Sequence, residues 1–222
     1  GPVDMHRAVM KSCDVYFYQL GLRIGLDSLL AGGVRLRFDR KSGVDLPFEV
    51  KSTWFANTKY FDEKYGPRGW NRSVLLSLSI GQADNAQTPI NMAKFYTALA
   101  TDGYAATPQI VAREPKREKI LNLTPEQLQG IKDALSDVVS RGTAAGAQIK
   151  GLTIAGKTGT AQVNGQKDNA WFVGYAPADD PKIVVAIIVE EGLHGSSAAR
   201  VATKLMERYL KTTLTMANTI TD

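Results

Sequence analysis

The sequence predicts an α/β fold: an antiparallel sheet packed between helices, within one domain. Two observations carry this expectation. The first two thirds place apolar residues at helical spacing behind recognisable caps, and the last third changes to strand-like runs divided by tight turns. With 222 residues, 44% of them hydrophobic, the chain can bury one substantial core.

Asp4 is a suitable N-cap for a first helix carrying Ala8 and Val9, and Tyr16, Phe17, Leu20 and Ile24 continue at helical spacing. The small polar group Ser12-Cys13-Asp14 between them predicts a junction or an interruption. Residues 39–72 mix Gly, Pro, Trp and charges without a sustained period and read as an irregular excursion. Thr88-Pro89 opens a helix with a hydroxyl cap and proline at the first position; Met92, Phe95, Tyr96 and Leu99 form its buried face before Gly103. Thr124-Pro125-Glu126-Gln127 is a capping box, followed by Leu128, Ile131, Leu135, Val138 and Val139 on one face until Gly142. Residues 152–190 then read as a meander of three strands, 152–163, 170–176 and 182–190, with breaks at Asn164-Gly165 and 177–181. A final helix over 198–210 is expected to cover the sheet with Val201, Leu205, Met206 and Tyr209.

Composition narrows the function. Charged residues at 22% and aromatics at 8% are ordinary globular usage, and no apolar run is long enough to cross a bilayer. The net charge of +5 suits an anionic partner, but the basic residues are scattered. The densest group, Lys116-Arg117-Glu118-Lys119, reads as a solvated loop, and no nucleic-acid partner is expected. One cysteine excludes an internal disulfide; one Cys and two His make a zinc site a poor expectation, and no metal or cofactor is predicted. His194 reads as an exposed loop histidine, Cys13 as a small junction residue, and Trp171 as sheet core rather than a stacking platform.

Lys157-Thr158-Gly159-Thr160 falls inside the first predicted strand, where a lysine and a glycine serve no evident core purpose. Glycine lets a ligand approach the backbone, lysine supplies a fixed cation, and threonines two apart turn their hydroxyls to one face. Together they describe a ledge for an anionic, peptide-like substrate. An exposed edge strand with a bulge glycine is the alternative. Far upstream, Ser12-Cys13-Asp14 has the form Ser-x-Asn/Asp.

In that order, these residues resemble the serine-active penicillin-binding proteins, whose motifs are Ser-x-x-Lys, Ser-x-Asn and Lys-Thr-Gly. The resemblance extends to Ser42-Gly43-Val44-Asp45-Leu46-Pro47, Ser79-Ile80-Gly81-Gln82 with Thr88-Pro89, and 170–177, and covers most of 3–210. It is similar to class B transpeptidases, most of all the elongation-type penicillin-binding protein 2. The resemblance implies a transpeptidase/β-lactamase-like fold and a D,D-transpeptidase that cross-links D-Ala-D-Ala stem peptides and is captured by β-lactams. It implies that Lys157 acts electrostatically and in proton movement, and that Thr158 and Thr160 hold the terminal carboxylate. Gly159 would complete the binding ledge, and the Thr160 N–H would donate to an oxyanion. Ser12 would relay a proton to the leaving group, and Asp14 would position substrate or lysine. It also implies elongation-machinery partners in the membrane and a periplasmic location with an N-terminal inner-membrane anchor.

The sequence departs from the family at the nucleophile: no lysine has a serine three places before it, so Ser-x-x-Lys is absent. With Gly1 opening the chain directly in an element, the expectation is an upstream segment that carries the nucleophile, so that this chain alone is inactive. Gly32-Gly33-Val34-Arg35, where the family has a Phe-Gly-rich turn, and Ala83-Asp84-Asn85 depart in smaller ways. A β-lactamase or β-lactam sensor of the same fold, or a non-catalytic binding module, remains an alternative.

Overall fold

The computed structural model describes residues 2–67 and 69–220, with side chains to residue 213. Helices α1 (Met5–Lys11), α2 (Asp14–Ile24), α3 (Leu26–Arg35), α4 (Lys59–Tyr65), α5 (Arg72–Ser79) and α6 (Pro89–Ala100) come first. A hairpin of β1 (Tyr104–Ala106) and β2 (Arg117–Lys119) leads to α7 (Pro125–Ser140), the meander β3 (Ala155–Ala161), β4 (Asn169–Ala176) and β5 (Ile183–Val189), and α8 (Gly195–Ile220).

The predicted caps form. The Asp4 side chain accepts from Arg7 N at 2.7 Å, Thr88 caps α6, and Thr124 and Gln127 close the capping box of α7. The meander is antiparallel in the order β3-β4-β5, pairing Lys157 with Val173 and Gly159 with Trp171. Period-two alternation along β4 then sorts two cores. Ala170, Phe172 and Ala176 face Ala198, Ala199, Ala202 and Met206 of α8. Val173 and Tyr175 face Tyr96, Leu99 and Leu135 of α6 and α7. A sheet covered on both faces explains why β4 and β5 are apolar along their length.

Three sequence expectations change. The stripe assigned to α8 is wrong in three of its four members: Val201, Leu205 and Tyr209 are 45%, 46% and 49% exposed, and only Met206 is buried. The packing face is Ala198, Ala199, Ala202 and Met206, because alanines let the helix lie close against the strands where larger residues would hold it off. Residues 39–72 are not irregular throughout. They contain α4, and Trp54 and Phe61 form a separate core with Leu26, Leu30, Val74, Leu75 and Leu78. Gly32 and Gly33 lie inside α3; a Cβ on Gly33 would sit 2.1 Å from the Trp54 ring, so the glycine makes room for the indole. Lys116–Lys119 is not a plain loop, since Arg117–Lys119 pair with β1 while their side chains stay in solvent, as charges on an edge strand can.

The α8 correction is directly testable. Met206→Ala should destabilise by about 2–5 kcal/mol, whereas Val201→Ser should stay within about 0.5 kcal/mol. Urea unfolding of both variants checks this, and comparable losses would restore the original stripe.

Candidate active site

A short break between α1 and α2 sets Ser12 in place. Ser12 caps α1 in the left-handed region, φ 52, and Cys13 N–H returns to the Ala8 carbonyl at 2.9 Å. A non-glycine residue held there is strained and persists only where its surroundings over-determine it. The surroundings do so through α7. His6 Nε2 lies 2.6 Å from Asp137 Oδ2, Asp137 also binds Arg141 and accepts from Ser140 Oγ at 3.0 Å, and Lys11 Nζ donates to the Arg141 carbonyl at 3.2 Å. Hydrogen bonding to Arg141, and then to His6, holds the Asp137 carboxyl well below its usual range. Gly142 lets the two segments meet, because a Cβ there would lie 2.5 Å from the Met10 carbonyl oxygen. Ser12 is therefore pinned relative to the loop after α7, and Thr143 comes with that loop.

Opposite stands β3. Lys157 Nζ donates to Ser12 Oγ and to the Thr158 carbonyl, the latter at 3.0 Å. Burial pushes its ammonium down to about 8, while the Asp14 carboxylate, at the first position of α2, pulls the other way. The Thr158 hydroxyl lies 2.6 Å from that of Thr143. The Thr160 carbonyl accepts from Gln82 Nε2 at 2.8 Å. Since β3 is an edge strand, a residue whose carbonyl turns away from β4 turns its N–H away as well, so the Thr160 N–H faces the cleft. Gly195 lets the start of α8 approach β3 closely: a Cβ on Gly195 would lie 2.6 Å from the Gly159 carbonyl oxygen.

The structure brings Ser12, Asp14, Lys157, Thr158, Gly159 and Thr160 to one cleft of about 720 Å³. Sequence reasoning missed Gln82, Thr143 and Gln162 on its walls. Gln82, and Gln162 directly after β3, stood in matching stretches without an assigned role; Thr143 had no local signal, since only the fold carries it to β3. His194 is exposed as expected, yet it lines the cleft beside Gly195 and Ser196. Cys13 is half-buried at the helix junction. Trp171 packs beside the α6 and α7 core. A second hollow of about 640 Å³ against α4 gathers Asp62 and Glu63 with Lys59, and none of the predicted site residues.

The chain matches the family described as penicillin binding protein transpeptidase domain over residues 1–207. It is 34% identical to the peptidoglycan D,D-transpeptidase MrdA of Acinetobacter baumannii, over 96% of this chain and 35% of that protein. Among solved structures, PBP2 of Helicobacter pylori in complex with MreC superposes with a TM-score of 0.84 at 29% identity, covering 95% of this chain and 40% of that one. Pseudomonas aeruginosa PBP2 in complex with WCK 5153 superposes at 0.81 with 34% identity, covering 94% and 49%. The chain thus spans about a third of the length of the first of these relatives, 35%.

Lys157 should titrate with a midpoint near 8, well under the ordinary lysine value of about 10.4. Asp14→Asn removes the charge that favours the ammonium, so the midpoint should fall further. Lysine-selective NMR measures both, and an ordinary midpoint would contradict the buried setting. Because folding lowers this pKa, the folded chain binds fewer protons than the unfolded one between the two values, and Lys157 makes stability rise with pH across that window.

Proposed function

The chain belongs to the penicillin-binding protein transpeptidase family, and from that premise we propose that residues 1–222 are the C-terminal part of a D,D-transpeptidase domain that cross-links peptidoglycan stem peptides. The observation that carries the reading is the pairing of Lys157 with Ser12 beside an outward Thr160 N–H. A half-buried lysine with its pKa lowered to about 8, hydrogen-bonded to a hydroxyl, is equipped to move a proton.

In the proposed reaction a serine hydroxyl, from a segment outside these 222 residues and activated by its own lysine, attacks the carbonyl of the penultimate D-Ala. The oxyanion takes the Thr160 N–H, while Thr158 and Thr160 hydroxyls hold the terminal carboxylate and Gly159 lets the substrate lie against the backbone. As the C–N bond breaks, the leaving nitrogen receives a proton passed from Lys157 through Ser12, and D-Ala departs. Asp14 supports the charged form of Lys157 between turnovers. The amine of a second stem peptide then attacks the ester and gives up its proton through Ser12 to Lys157, the C–O bond breaks, and the serine recovers its proton from its own lysine. No cofactor enters. Penicillins acylate the same serine as mimics of the acyl-D-Ala-D-Ala transition state.

The H. pylori relative was solved with MreC. By extension, the protein works outside the cytoplasm with membrane-bound elongation partners, held to the inner membrane by an N-terminal helix outside these residues.

Two experiments test the reading. In the full-length protein, Lys157→Ala should slow acylation by benzylpenicillin about 10²–10³-fold, the scale of losing one electrostatic stabiliser, with the fold intact by circular dichroism. An unchanged rate removes Lys157 from the chemistry. The 222-residue chain, lacking Ser-x-x-Lys, should show no penicilloyl adduct by intact mass spectrometry, and a stoichiometric adduct would overturn the assigned nucleophile.

A further inference from the structure

We infer that Gln82 is a specificity-determining latch on the outer edge of β3, selecting ligands by whether they carry an amide N–H that pairs with the Thr160 carbonyl. The inference rests on the reading of β3 as the substrate ledge.

The turn after α5 is built to aim this side chain. Gln82 stands between two left-handed residues, Gly81 at φ 81 and Ala83 at φ 62. The turn is closed by Gly81 N–H to the Leu78 carbonyl at 3.0 Å, Gln82 N–H to Ser77 at 2.9 Å, and Asn85 N–H to Ala83 at 2.8 Å. Alanine in the left-handed region is unfavourable, and such strain is retained where it has a use.

The use is visible at the other end of the side chain. A primary carboxamide carries a donor and an acceptor side by side. Gln82 Nε2 donates to the Thr160 carbonyl at 2.8 Å, and Gln82 Oε1 accepts from the Gln162 N–H at 3.4 Å. These are successive outward groups of the free edge, the ones that an added strand would engage. The next outward carbonyl toward the strand start, that of Thr158, is taken by Lys157 Nζ. Along this stretch of the edge the Thr160 N–H is left open to the cleft.

A ligand that uses only this N–H and the neighbouring hydroxyls leaves Gln82 in place. A ligand with an amide N–H reaching the Thr160 carbonyl has to displace Gln82 Nε2 first, and one continuing as a strand past Thr160 has to displace the whole carboxamide. Stem peptides and acylamino penicillins belong to the displacing class. β-Lactams without an acylamino arm do not.

The test compares acylation of the full-length protein and its Gln82→Ala variant by benzylpenicillin, which has an acylamino arm, and imipenem, which has none. The variant should react roughly tenfold faster with benzylpenicillin, the scale of one released hydrogen bond, and at an unchanged rate with imipenem. Equal changes for both ligands, or none for either, overturn the latch. In the 222-residue chain, Gln82→Ala should also speed hydrogen exchange at the Gln162 amide, and unchanged exchange overturns the contact itself. If the wild type is acylated by neither ligand, the transpeptidase reading fails, and the exchange measurement alone decides the latch.

Discussion

Strand β4 is buried on both faces, and the rest of the molecule is arranged around that constraint. Phe172 and Tyr175 are both fully buried, on opposite faces of one strand. Two apolar layers are therefore required, with α8 on one side and α6 with α7 on the other. The alternation leaves small residues where elements come closest: Gly156 and Gly174 are paired across β3 and β4, where a Cβ on either would collide with the Phe172 ring. With β4 central, β3 has to be an edge, and its outward groups become available to a ligand.

The second element of the site depends on α7, which packs into both cores and also carries Asp137. Asp137 gathers His6 and Arg141, so α1 is clamped to α7, and the strained Ser12 at the end of α1 is presented to Lys157. Clamp and cleft are chemically separate. The clamp is a charged surface arrangement whose carboxylate is stabilised by partners, whereas Lys157 is half-buried, donates to one hydroxyl and one carbonyl, and is under the influence of the Asp14 carboxylate. Both pKa values fall, for opposite reasons: partners stabilise the charged form of the acid at the clamp, and desolvation disfavours the charged form of the lysine in the cleft.

Much of the fold was legible. Capping chemistry announced α6 and α7, and strand-length apolar runs with Asn-Gly and Pro breaks announced the meander, because these signals are local. The helix α8 was found with the wrong face, since the apolar moment counts large side chains and takes no account of how closely alanines pack. Helix α4 and its Trp54 core were missed because seven residues of mixed charge carry no readable period.

The site divides in the same way. Lys157, Thr158, Gly159 and Thr160 could be singled out from sequence because a lysine and a glycine inside a strand contradict core packing, and Ser12 and Asp14 followed from their order and from resemblance. What sequence by itself determined was this set of residue types on these elements. Tertiary structure alone decided that Ser12 meets Lys157, that Thr143 reaches Thr158, and that Gln82 closes the edge at Thr160. Those contacts join residues 15 to 145 positions apart, and no local periodicity or propensity encodes a distance across a cleft.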